Sequence, residues 1–115
     1  MSGIDTRALD RELKRGSAEL LILSLLDARP RHGYELSKLI KVRSGGALTF
    51  HIDSLYPLLY RLEERGLIRA EWESTEKGRR AKVYSLTASG RKRLADERAT
   101  WQRFSGALAA ILRTG

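Results

Sequence analysis

The sequence predicts a mainly α fold with one small β-hairpin, a winged helix-turn-helix followed by a long C-terminal helix. Three observations predict it. Three stretches with helical apolar spacing fill the first half of the chain. Two partly alternating stretches then flank a polar segment centred on Gly78. A capped helical pattern begins at Thr87 and continues to about Leu112.

In chain order, residues 5–14 form a short amphipathic pattern with Leu9 and Leu13 on one side. Gly16 breaks it, and Ser17 is placed to cap the next helix. Leu20, Leu21, Ile22, Leu23, Leu25 and Leu26 surround that helix almost completely, which marks it as central and packed on several faces. Pro30 ends it, because a proline disfavours helical geometry in the residue before it.

His32-Gly33-Tyr34 opens a second helix running to about Val42, with Leu36, Leu39 and Ile40 inward and Ser44-Gly45-Gly46 as its break. Leu48-Thr49-Phe50 is β-prone and is expected to be a brief strand. Asp53 or Ser54 is expected to cap a third helix, with Pro57 in its first turn and Gly66 at its end. Leu55, Leu58, Leu59 and Leu62 make its buried stripe. Residues 67–73 and 81–86 are the hairpin strands, and Trp72 is expected to pack in the core or along the flank of the wing. The chain thus divides into a winged-helix part, 1–86, and a terminal helix, 87–115.

Of the 115 residues, 42% are hydrophobic and 31% charged, the balance of a globular domain rather than a disordered chain. No run approaches the ~18 apolar residues needed to span a bilayer, and the first residues lack the pattern of a secretory signal, so a cytoplasmic location is expected. The chain has no cysteine, which excludes disulfides and thiolate-ligated metals. His32 and His51 stand at no ligand spacing, and no serine has a base beside it in sequence, so neither a metal cofactor nor catalysis is expected.

The net charge of +8 favours a polyanionic partner. Its distribution is more informative: residues 77–93 carry seven cations and no acid. Lys77, Arg79, Arg80 and Lys82 belong to the hairpin, where cations near phosphates release counterions. Arg91, Lys92 and Arg93 begin the last helix, where the macrodipole disfavours them unless an anion is near. The third helix is apolar behind and presents Ser54, Tyr56, Pro57, Tyr60 and Arg61 in front, with hydroxyls and a guanidinium suited to phosphates and base edges of double-stranded DNA.

His32-Gly33-Tyr34-Glu35-Leu36, the run Ser54-Leu55-Tyr56-Pro57-Leu58-Leu59-Tyr60-Arg61-Leu62-Glu63, and Gly66-Leu67-Ile68 carry a further signal. Gly78-Arg79-Arg80-Ala81-Lys82-Val83-Tyr84 and Leu86-Thr87-Ala88-Ser89-Gly90 continue it. Over about residues 14–105 the chain resembles the PadR family of transcriptional regulators. The resemblance implies a winged-helix homodimer that represses promoters carrying inverted repeats. It also implies that Tyr56, Arg79, Arg80 and Lys82 meet the DNA backbone, with Tyr34 beside them. Asp53 departs from the glycine often found there, and its charge would repel a nearby phosphate, which puts base preference at that edge in question.

In the last helix, Leu94, Glu97, Trp101, Phe104, Leu108 and Ile111 follow a 3,4 spacing, the stripe of a helix lying along a partner. A second subunit is its expected cover, at Leu94, Trp101, Phe104, Leu108 and Ile111, and a C2 dimer would set two recognition helices roughly 34 Å apart. The resemblance to small multidrug-sensing members implies a planar aromatic or cationic effector stacked on Trp101; packing of Trp101 in the interface alone is the alternative. A nonspecific architectural DNA binder, or a protein-interaction module on the same scaffold, is the competing functional reading.

Overall fold

The computed structural model describes residues 16–113, and the amphipathic pattern expected at 5–14 lies outside the described residues. Four helices and a three-stranded antiparallel sheet follow in the order α1 (Ala18–Ala28), β1 (Arg31–His32), α2 (Gly33–Arg43), α3 (Ile52–Glu64), β2 (Ile68–Ser74), β3 (Arg80–Leu86) and α4 (Ala88–Leu112). The expected mainly α fold with a hairpin wing is present, with the third strand in a different place from the one expected.

α1 is central. Ile22, Leu23 and Leu26 are buried against α2, α4 and β3, which is why its apolar residues run nearly all the way round. Ser17 precedes it in helical geometry and makes no side-chain cap, so the expected Ser17 cap is absent. Arg29 is forced extended by Pro30 (φ −172°, ψ 164°). Arg31 then turns its buried side chain back, and its Nε donates to the Leu25 carbonyl at 2.9 Å, satisfying one of the orphan acceptors at the end of α1.

The third strand does not lie where the sequence predicts it. Leu48-Thr49-Phe50 forms no strand. Its polar backbone is claimed by side chains instead: the Leu48 N–H donates to Ser44 Oγ at 2.9 Å, and Ser37 Oγ donates to the Phe50 carbonyl at 2.6 Å. The open edge of β3 is taken by β1, with Arg31 opposite Tyr84 and His32 opposite Val83, giving the order β1-β3-β2.

α3 begins at Ile52 with His51 as its extended N-cap, ahead of the expected Asp53 or Ser54. Pro57 consequently lies in the second turn, not the first, and the Asp53 carbonyl loses its intrahelical donor at an exposed position. Leu55, Leu59 and Leu62 are fully buried, and Gly66 ends the helix at φ +74°.

The joint between α3 and α4 is tight. Thr87 caps α4 by accepting from the Gly90 N–H at 3.0 Å, and its hydroxyl points at the Gly66 and Leu67 carbonyls, 2.7 and 3.0 Å away. A Cβ on Gly90 would stand 2.0 Å from the Leu67 carbonyl oxygen, so only glycine permits this approach.

Candidate nucleic-acid interface

The wing turn is fixed by its own backbone. The Gly78 N–H donates to the Thr75 carbonyl at 3.0 Å, Gly78 takes φ +76°, and the Thr75 N–H donates to Arg79 at 2.7 Å. The β2–β3 register places Trp72 opposite Lys82 and Ser74 opposite Arg80. One face of the ribbon therefore carries Trp72, Arg80 and Lys82, and farther in the buried Tyr84.

That face and α3 enclose a cleft of about 410 Å³ whose walls include Tyr34, Tyr56, Tyr60, Trp72, Arg80 and Lys82. Gly33 explains the tyrosine placement: a Cβ there would stand 3.2 Å from the Tyr56 ring, so the glycine lets Tyr56 lie over the start of α2. Tyr34 stacks on His32 with centroids 5.5 Å apart. The Glu35 carboxylate accepts from the His32 backbone N–H at 3.0 Å and from Arg29 at 3.0 Å. Burial pushes that carboxyl up, but these two donors outweigh it and hold it below the usual range. The exposed side chains of Tyr34, Tyr56 and Tyr60 and the two cations thus line one opening.

Ser54, Pro57 and Arg61 are exposed on the other flank of the same α3 ridge, along a shallow cleft with Gly16 and Glu19. Lys77 and Arg79 stand at the wing tip outside both clefts. Among the described residues no carboxylate lies within ion-pair distance of Lys77, Arg79 or Arg80, whereas Lys82 Nζ is 4.0 Å from Glu63.

Two expectations are corrected. Trp72 is not part of the core: it lies along the wing face, 57% exposed, with Arg80 Cζ 5.1 Å and Lys82 Nζ 5.5 Å from its ring centroid. The signal was available in its register with Lys82, two positions before the hairpin turns polar. Leu94, expected in the dimer stripe, is 1% exposed within the subunit's own core and has no surface for a partner. The helical phase is the reason: at the root of α4 the inward face is still covering α1.

Arg98 still reaches α1, its guanidinium donating to Ser24 Oγ at 3.0 Å, and beyond it Trp101, Phe104, Leu108 and Ile111 are all exposed. Trp101 and Phe104 stand with centroids 5.9 Å apart, beside an open groove of about 560 Å³ also lined by Leu20, Asp96 and Glu97. Two of the three cations that open α4 have anions of their own: Arg91 pairs with Asp27 at 3.2 Å, and Arg93 with Glu19 at 3.3 Å and Glu97 at 2.8 Å. Glu19 also accepts from Arg65, the C-cap of α3, at 2.6 Å. Burial and the neighbouring Glu19 push the Glu97 carboxyl up to about 7. Among the described residues no cluster of metal-ligating side chains occurs, and no helix is long and apolar enough to cross a membrane.

A family model described as the transcriptional regulator PadR-like family matches residues 22–96. The chain is similar to a PadR family transcriptional regulator from Eggerthella lenta, at 30% identity over 95% of this chain and 93% of the other, with a TM-score of 0.79. A PadR-like transcriptional regulator from Bacillus cereus matches at 26% identity over 90% and 99% of the two chains, TM-score 0.78. Bacillus subtilis PadR, whose structure is a complex with operator DNA, matches at 28% identity over 69% of this chain and 45% of its own, TM-score 0.64.

Proposed function

The chain belongs to the PadR-like family of transcriptional regulators, and on that premise we propose that it is a ligand-responsive repressor that binds an inverted-repeat operator as a homodimer. The observation that carries the reading is the cleft in which the wing cations Arg80 and Lys82 stand beside Tyr34, Tyr56 and Tyr60. Cations and phenols in one cleft suit a phosphate backbone, while Ser54 and Arg61, on either side of Pro57, present the polar edge that reads bases. Lys77 and Arg79 extend the electrostatic footprint beyond the groove. Asp53, exposed in the first turn of α3, suits the helix dipole but disfavours a phosphate next to it.

The dimer reading rests on Trp101, Phe104, Leu108 and Ile111, an apolar stripe that the described residues leave exposed along the distal half of α4. The same helix carries the effector reading. An indole and a phenyl ring beside Asp96 offer stacking and negative charge to a planar cation.

The test is binding to duplexes carrying the upstream region of its own gene and to a scrambled duplex of equal composition, together with sedimentation. Tighter binding to the upstream duplex by a dimer, loosened by a planar cationic dye that quenches Trp101, supports the whole reading. Equal affinity for both duplexes turns it toward a nonspecific architectural role. Dye binding unchanged in Trp101→Ala removes the effector part alone.

A further inference from the structure

The wing strand carries a large aromatic side chain that backbone contact by cations does not by itself require. Trp72 is directly opposite Lys82 across the ribbon, and Arg80 is its diagonal neighbour on the same face. Both cations lie over its ring, at 5.1 and 5.5 Å from the centroid. More than half exposed, the indole is no part of the core, and these two cations lie on its face. Lys82 is drawn the same way from the other side, with its Nζ 4.0 Å from the Glu63 carboxylate on α3.

Two long cations on one strand repel each other and lose rotamer freedom when phosphates fix them. The negative face of an indole offsets both effects, because it attracts each cation and limits where each can go before DNA arrives. The direction it favours is the cleft wall shared with Tyr56 and Tyr60. We propose that Trp72 is a positioning residue for DNA binding, its indole face holding Arg80 and Lys82 side by side at the mouth of the wing–α3 cleft. This rests on the DNA-binding reading above and adds to it a residue that acts through two others. Aromatic character, not bulk, is the property that matters: phenylalanine keeps the attracting face and leucine does not.

The experiment titrates a fluorescein-labelled random-sequence duplex with the full chain at several salt concentrations, reading anisotropy. Trp72→Leu is expected to weaken binding about fivefold and to lower the salt slope by about one, the loss of roughly one phosphate contact. Trp72→Phe is expected to restore most of both. In an Arg80→Ala/Lys82→Ala background, Trp72→Leu is expected to change affinity less than about twofold, because its partners are gone. An equal loss in both backgrounds, or a wild-type slope in Trp72→Leu, overturns the proposal while leaving DNA binding intact. Failure of the wild-type chain to bind the duplex overturns the DNA-binding reading and this proposal with it.

Discussion

The wing and the root of α4 draw their cations from one acid-free stretch, 77–93, and use them in opposite ways. At the wing, Lys77, Arg79 and Arg80 face no carboxylate of the described residues, and Arg80 rests on Trp72. At the root, Arg91 and Arg93 are held by Asp27, Glu19 and Glu97, acids lying far away in sequence or one turn along α4. The first group keeps its charge available to a partner. The second spends it binding α4 to α1. A run of like charges is therefore not one electrostatic field; the fold decides which members are neutralised inside the subunit. The two groups are joined through Thr87 and Gly90, where the end of α3 and the start of α4 share hydrogen bonds.

Breaking that joint should have the largest effect. Gly90→Ala places a methyl 2.0 Å from a backbone oxygen, and overpacking of this kind costs about 1–3 kcal/mol. A lowered denaturant midpoint is expected, with DNA binding weakened as α3 and the wing shift. Gly106→Ala is the control: that position is open, and the substitution is expected to stabilise the helix by about 0.5–1 kcal/mol.

Next in size is Arg79→Ala/Arg80→Ala. If each arginine meets one phosphate, the salt slope should fall by about 1.8 in total, with an unchanged melting temperature. Arg91→Ala/Arg93→Ala should do the reverse, leaving the slope alone and costing up to about 1 kcal/mol per exposed pair. Similar slopes for the two double variants would erase the distinction between wing and root.

The smallest effect expected is in pH. The Glu97 carboxyl titrates near 7 in the folded chain against an ordinary 4.5. The folded state therefore holds a proton that the unfolded state has released, so this group's contribution is full below about 4.5 and is lost as pH rises to about 7. Glu19 and Glu35, held below their usual range, contribute in the opposite sense at lower pH. Melting temperatures from pH 5 to 8 should fall less steeply for Glu97→Gln than for wild type, and parallel curves would remove Glu97 as the cause.

Much of this was legible in local sequence, and the exceptions share a cause. Thr87 as the cap of the long helix, Gly66 as the end of α3 and Gly78 at the wing turn depend on neighbours a few residues away, and each stands where it was expected. The misplaced strand did not: residues 48–50 have strand propensity, but Ser37 and Ser44 take their backbone groups, and the sheet edge goes to Arg31–His32. Trp72 and Leu94 were misassigned because composition marks them as apolar while strand face and helical phase decide their surroundings. The pairing of Arg91 with Asp27 spans the whole fold, and no local pattern announces it.

The most direct test of where DNA binds is a heteronuclear NMR titration of the isotope-labelled chain with a duplex from the upstream region of its own gene. Perturbations are expected at Tyr34, along 54–61 of α3 and across the wing from Trp72 to Lys82, with the Arg91 and Arg93 signals unmoved. Perturbations centred on the root of α4, with the wing unchanged, would contradict the account.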